Sequence, residues 1–348
     1  MYQVFYSLVL AREMKVLAIG NSHFVAPLRA LGHDVMHAHY TSNADVHLAH
    51  PTECAHLLDG LARQGFVPDL LLYTDNGNLP LLLDPEVVPC PSIWFSIDTY
   101  CNPWHMAWAH GFDASLVAQK DFVHLFADEG LQAEWFPLFC AGIEAPIPFA
   151  ERDIPVAFVG TLGHRNNPGR EPFLRAFRAQ HPLIMLSGEY KPVFLRSRIV
   201  LNQTAFAELN FRCFEGMACG AALLMEQCNN GLLDIFTPDV DILPPYPRGD
   251  AAAAAGIAAR YLARPEHLAE IAVRGYERVG QKHSASARTQ HILALAAHLR
   301  EAGVQEKRLR NRDACRRFVR TSFGIIASDM QDPNMGPWRS YYARVAQG

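Results

Sequence analysis

The 348-residue chain is half apolar, has charged side chains at 19% of its positions and carries a formal net charge of −4. This is the balance of a soluble globular protein, and it offers no electrostatic footprint for nucleic acid or an anionic membrane, so neither a nucleic-acid partner nor integral membrane association is expected. Its length supports two domains of roughly 150 residues each. The eight cysteines form no CxxC pair and no zinc-type spacing. Several fall in apolar runs where a thiol behaves as a small hydrophobe, which points to reduced thiols and a cytoplasmic location.

In chain order, residues 1–13 are apolar for about ten residues, too few to cross a bilayer, and are set outside the fold because MKVLAIG from Met14 makes a natural first strand. Strands are expected at 16–19, 33–36, 70–73, 93–97, 114–118 and 133–136, with helices at 24–31 and 57–64. Such alternation is the signature of a parallel sheet covered by helices. The loop GNSHF places His23 after the first strand. A neutral imidazole there could take a proton from a hydroxyl, or could cap the following helix. Six histidines between 33 and 56 crowd around Cys54, but without a fixed ligand spacing they read as solvated loop residues, and no metal site is expected. Asp98 ends the apolar strand SIWFSID and is the other candidate base. The Pro-containing segment 142–155 cannot hold regular structure for long and is taken as a linker.

The pattern restarts with a strand at 156–159, a helix at 170–180 and a strand at 183–186. Gly160 and Thr161 follow the first of these and permit close backbone approach, while Arg165 and Arg170 are candidate diphosphate contacts or surface arginines of a solvated loop. In GEYK, Tyr190 could stack on a base and Lys191 reach a phosphate. A strand at 199–201 ends at Asn202, polar residues lead to Asn210, a helix at 211–219 is stopped by Gly220, and a buried strand follows at 221–225. A helix launched from the carboxyl end of a parallel strand turns its free N–H groups and positive dipole end toward whatever lies above the sheet, most often a phosphate. Arg212 adds a cation in the first turn. Glu215 has the wrong charge for a phosphate and suits two ribose hydroxyls, although R-x-x-E on an exposed helix is equally an i,i+3 ion pair. The alanine run 251–255 is an ordinary strong helix former.

The string LNFRCFEGMACGAALLMEQCNNGLLDIF resembles the nucleotide-sugar half of the CgeB-like, spore-maturation-type glycosyltransferases of the GT-B class, with their N-x-R-x-F-E-x-x-A-C-G-A core. An acidic strand end at 239–242, the Ala-rich helix after Asp250 and GYERVGQKHSASARTQHIL also match in order, as do VPDLLLYTDNG and PSIWFSID in the first half. The similarity covers about residues 14–300. It implies an α/β fold of two Rossmann-like domains with parallel sheets facing a central cleft: an acceptor-side domain at 14–147, a nucleotide-sugar domain at 148–300, and a helical tail at 301–348 of the kind that crosses back to the first domain.

The resemblance implies transfer of a hexose-like sugar from a nucleoside diphosphate to an unknown glycan, protein or small-molecule acceptor, without a further cofactor. Donor-binding residues would be Gly160, Thr161, Arg165, Tyr190, Lys191, Asn210, Arg212 and Glu215, with Asp98 or His23 as base. Charge neutralisation by Arg212 and the helix terminus would make catalysis metal-independent. Two departures stand out. The family's Asp-x-His at the Asp98 strand end is Asp-x-Tyr100 here, and the E-x7-E spacing of many retaining enzymes fails, because Ala207 stands eight residues before Glu215 and Glu208 is one place out of step. Stereochemistry therefore stays open. So do a non-catalytic nucleotide-sugar-binding or assembly protein and an epimerase or hydrolase on the same scaffold.

Overall fold

A computed structural model describes residues 13–163, 166–330 and 336–348. The chain forms two compact units, the first comprising residues up to Phe136 together with Thr289–Gly348, and the second Pro137–Arg288. Residues 289–300, expected in the nucleotide-sugar domain, therefore belong with the first unit, and the 142–155 stretch lies inside the second.

In the first unit β1 (Lys15–Gly20), β2 (Asp34–His39), β3 (Val46–His47), β4 (Leu70–Thr74), β5 (Ser92–Ser96), β6 (Ala114–Val117) and β7 (Ala133–Trp135) form one sheet in the order β3-β2-β1-β4-β5-β6-β7. Every pairing is parallel. β4 and β5 are buried along their whole length, the reason they read as unbroken apolar runs rather than as an alternation. The winding direction reverses between β1 and β4, and at such a switch point the loops leaving the two strands diverge and open a crevice. The turn there depends on Gly20, which has φ +87° and whose absent Cβ would collide with the Thr74 carbonyl. Asn21 N–H donates to that carbonyl at 3.1 Å.

Two details differ from the expected elements. β2 continues through His39, and β3 lies in the His-rich stretch that reads as loop. The histidines there serve the backbone and amides: His33 Nδ1 accepts from Met14 N–H at 3.2 Å, His37 Nε2–H donates to the Gly20 carbonyl at 2.9 Å, and His39 Nε2 lies 2.9 Å from Asn76 Nδ2. The expected basic helix of the tail is the pair Val304–Arg310 and Arg312–Asp329, followed by Gly336–Gln347. Within this unit Phe323 packs edge-on to Trp108 and stacks on Tyr342.

In the second unit β8 (Ile154–Val159), β9 (Ile184–Leu186), β10 (Ser197–Asn202) and β11 (Ala222–Met225) form a parallel sheet ordered β11-β10-β8-β9. Alternate residues of β8 serve two cores: Val156 and Phe158 join helices Arg170–Arg178 and Ala251–Leu262, while Ala157 and Val159 pack with Phe194 and Val200. Buried Arg152 ties the irregular 142–155 stretch down, donating to the carbonyls of Ser197 at 2.7 Å and Cys219 at 2.9 Å. The expected strand end at 239–242 is instead a tight turn with Asp239 at φ +63°, because the Asp241 carboxylate accepts Thr237 N–H at 3.1 Å and folds the segment back on itself. Among the described residues no helix is long and apolar enough to cross a membrane.

Candidate functional site

The second sheet reverses its winding between β8 and β10, so the loops after these strands frame its crevice. From β10 the chain runs through a compact loop to Asn210, which starts the helix Phe211–Ala218. The Asn210 side chain does not cap that helix; it forms an amide pair with Asn202, at 3.0 and 3.3 Å. The helix start thus has no side-chain cap and keeps its positive dipole end, although the Cys213 N–H donates to the Asn210 carbonyl at 3.1 Å.

Arg212 stands in the first turn of this helix. Its Nε donates to the Val159 carbonyl at 2.8 Å and Nη1 to Asn202 Oδ1 at 2.7 Å, while the guanidinium lies 4.3 Å from the centre of the Phe158 ring. A Cβ on Gly160 would run into Nη2, so glycine at the end of β8 is what lets the cation lie flat against the strand. Burial, and then the neighbouring Arg170, push the Arg212 pKa down to about 10, and it stays charged at neutral pH. Two cations and a helix terminus at one strand end form an electropositive spot that an anion would relieve.

Glu215 lies one turn further along. Its carboxyl group accepts no hydrogen bond and makes no ion pair among the described residues. Burial raises its pKa to about 7, opposed by Arg212 and then Lys191. No i,i+3 ion pair with Arg212 forms among the described residues, where Arg212 directs Nε and Nη1 to Val159 and Asn202. Tyr190 belongs to the same neighbourhood: its phenol is pushed up by burial first and by Glu215 second, and its ring packs 5.4 Å from Phe194. Lys191 is close enough to act on Glu215, but its ammonium is paired with Glu144 at 2.5 Å.

The other expected contacts occupy distinct places. Thr161 is exposed and offers its carbonyl to Arg170 Nη1 at 2.9 Å. Arg170 is buried and also donates to Gln203 Oε1 at 3.0 Å, so it braces the β8 and β10 loops. Arg165 lies outside the described residues. Glu208, the acid out of step with the E-x7-E spacing, turns into its own loop and accepts from Ala205 and Phe206 N–H at 3.2 and 2.7 Å. Ala207 beside it has φ +58°, held by Cys228 Sγ–H and Asn230 Nδ2 donating to its carbonyl.

In the first unit Asp98 follows β5. Its Oδ1 accepts the Tyr100 hydroxyl at 2.8 Å, so the residue in the family's histidine position bonds the candidate base itself. The strand end is fixed by Asp75, whose Oδ2 accepts Ile97 and Asp98 N–H at 3.1 Å each and whose Oδ1 accepts Gly77 N–H at 2.9 Å. His105 is fully buried, 3.7 Å from Asp75 Oδ2 and 2.9 Å from Ser96 Oγ, and burial lowers its pKa to about 4. Neither Asp75 nor His105 was singled out from sequence. The signal for Asp75 is an acid directly after the apolar strand LLLYT, the same signal that marks Asp98; His105 has none, because its partners come from distant strands. Burial also lowers His23 to about 4, so its imidazole is neutral at pH 7 but weakly basic.

Residues 151–294 match the model of the "Glycosyl transferase-like" family. No curated protein sequence matches the chain. Among solved structures, sucrose-phosphate synthase from Thermosynechococcus elongatus shares 14% identity at a TM-score of 0.60, over 84% of this chain and 100% of that one. HepE of Anabaena, solved in complex with UDP and glucose, shares 12% at 0.58, over 82% and 100%. A glycosyltransferase from Rickettsia africae shares 8% at 0.59, over 83% and 99%. The chain thus has the fold of the GT-B glycosyltransferases, and its residues 151–294 are similar to the glycosyl transferase-like family.

Proposed function

We propose that this protein transfers a sugar from a nucleoside-diphosphate sugar, held by the second unit, to a hydroxyl-bearing acceptor, and that within the GT-B glycosyltransferases it is CgeB-like. The observation that carries the donor reading is Glu215: a half-buried carboxylate with no hydrogen-bond partner among the described residues, one helical turn from Arg212 and an uncapped helix start. Ribose hydroxyls would supply the missing donors, and a diphosphate would meet Arg212 and the helix terminus. HepE, similar in fold, binds UDP and glucose, which makes uridine the first base to try.

In the chemistry that follows from this reading, negative charge grows on the leaving diphosphate and is stabilised by Arg212, the helix N–H groups and the peptide groups beside Gly160. Asp98 is the favoured base for the acceptor hydroxyl, because His23 is weakly basic in its buried place. Calorimetric titration with UDP, GDP, dTDP and CMP and their sugars, with hydrolysis and transfer scored in parallel, tests the reading. Tight binding without turnover on any acceptor would favour a binding or assembly role, and failure to bind any nucleotide would refute the donor site. The protein is expected to work in the cytoplasm, which a fractionation of the cells that make it would check.

A further inference from the structure

Behind the strand ends of the first unit, a string of buried polar groups runs through an otherwise apolar interior. His105 is 0% exposed and stands between two tryptophans, edge-on to both, its ring centre 4.8 Å from that of Trp94 and 4.3 Å from that of Trp104. Its Nδ1 lies 2.9 Å from Ser96 Oγ, and Ser96 Oγ lies 2.6 Å from Thr99 Oγ1. Its Nε2 has no hydrogen-bond partner among the described residues and lies 3.7 Å from Asp75 Oδ2. A buried imidazole with an unsatisfied nitrogen is costly, and an apolar ring would fill the slot between the tryptophans without that cost. Its presence there calls for a use of both nitrogens.

The neighbours fix the tautomer. Burial holds the His105 pKa near 4, so the ring carries a single N–H at neutral pH. A hydroxyl can donate as well as accept, whereas a carboxylate only accepts. The proton therefore belongs on Nε2, toward Asp75, while Nδ1 accepts from the Ser96 hydroxyl and Ser96 Oγ accepts from Thr99. At 3.7 Å the Nε2–H is too far for a hydrogen bond and acts as a dipole beside a carboxylate, a contact that a low-dielectric interior strengthens. Both ends of this string hold the chain around Asp98. Asp75 Oδ2 accepts the N–H groups of Ile97 and of Asp98 itself, and Thr99 opens the short turn Thr99–Cys101 that follows.

We propose that His105 is a positioning residue for the candidate base: by holding Asp75 on one side and Ser96 and Thr99 on the other, it fixes the backbone from which the Asp98 carboxylate is presented to the acceptor hydroxyl. The inference rests on the reading of Asp98 as that base.

The test uses His105→Asn, whose amide lies near the place of Nδ1 and offers Asp75 no donor, and His105→Gln, whose amide N–H reaches about the place of Nε2. Turnover is followed by hydrolysis of UDP-glucose, then of GDP-, dTDP- and CMP-sugars, with water in the acceptor's place, and nucleotide affinity is measured beside it. His105→Asn should lower kcat by about tenfold or more while nucleotide affinity changes by less than about twofold; His105→Gln should restore most of the loss, and His105→Asn should cost nothing further in an Asp98→Asn background. In the wild type, imidazole nitrogen NMR, with His105 assigned by the signals lost in either variant, should show the neutral Nε2–H tautomer from about pH 5 to 8. An Nδ1–H tautomer, wild-type kcat in His105→Asn, equal losses in the two variants, or an added loss on top of Asp98→Asn would each overturn the positioning role; the reading of Asp98 then stands if Asp98→Asn itself loses turnover. Should His105→Asn fail to fold, the tautomer and the kcat of His105→Gln decide. Full turnover in Asp98→Asn, or a wild type that turns over none of these sugars, would overturn both.

Discussion

If Glu215 holds the donor's ribose, it couples donor binding to pH. Burial places its pKa near 7, and ribose hydroxyls donate hydrogen bonds, which the ionised carboxylate accepts much more strongly than the neutral acid. Below pH 7 ribose binding favours loss of that proton, and nucleotide affinity should fall as pH drops, by at most about tenfold per pH unit. Glu215→Gln should remove that dependence, and the difference between the two profiles separates the side chain from titration of the nucleotide's own phosphate. At about pH 8, Glu215→Ala should weaken binding by about 1–3 kcal/mol through loss of charge-assisted hydrogen bonds; a wild-type profile parallel to that of Glu215→Gln would remove the ribose assignment. The linkage also runs through stability. The folded pKa is raised above the ordinary 4.5, so ionisation costs the folded state stability progressively from about pH 4.5 to 7, and nucleotide-free Glu215→Gln should be the more stable protein at neutral pH. Gly160 acts through the same spot. Gly160→Ala must displace the Arg212 guanidinium, and its effect on nucleotide affinity should not add to that of Arg212→Ala in a double-mutant cycle; additive losses would show that the two residues act separately.

Among the elements, the helix Val304–Arg310 owes its place to one residue. Arg308 is 5% exposed and reaches Asp113 with Nε and Nη2 at 2.9 and 3.0 Å, the Glu86 carbonyl with Nη1 at 2.7 Å and the Cys90 carbonyl with Nη2 at 3.0 Å. Arg308→Ala leaves Asp113 buried without its cation and should destabilise the first unit by about 3–5 kcal/mol. All five tryptophans, at 94, 104, 108, 135 and 338, lie in that unit, so denaturant titration followed by tryptophan fluorescence reads it alone; an unshifted midpoint would mean that the pair contributes nothing. This anchor illustrates what a sequence conceals. The basic run of the tail is plain to see, yet its residues split into buried anchors such as Arg308 and solvated ones by partners far away in the chain. The strands with continuous apolar runs were legible because burial on both faces dictates composition. Short β3 was not, since two residues carry no period, and the 239–242 segment differs from its strand-like sequence because its apolar residues suit a strand while Asp241 closes a turn. At the site, the helix start, Arg212 and Glu215 could be read from local spacing, whereas the Asp75 brace depends on contacts between strand ends.

For the molecule as a whole, the two units would carry different parts of the proposed chemistry, and that division is testable. Charge on the leaving diphosphate would be met by Arg212 and the helix start in the second unit, so transfer is expected to persist in EDTA; activity that vanishes there and returns with Mg²⁺ or Mn²⁺ would transfer that duty to a metal ion. The candidate base lies in the first unit. Asp98 is held by the Asp75 carboxylate and by the hydroxyl of Tyr100, so its carboxylate is positioned by a rigid strand end, and a positioned general base typically contributes about 10²- to 10⁴-fold in rate. Asp98→Asn should therefore lower kcat by about that factor while the nucleotide affinity of the second unit stays unchanged. His23→Ala should cost much less, since burial has already weakened that imidazole as a base. Parallel loss of donor binding and turnover in Asp98→Asn would make Asp98 structural. Full activity in both variants would remove the base altogether, and the transfer would then have to run by a same-face route in which the departing diphosphate itself assists the acceptor, with retention at the anomeric carbon.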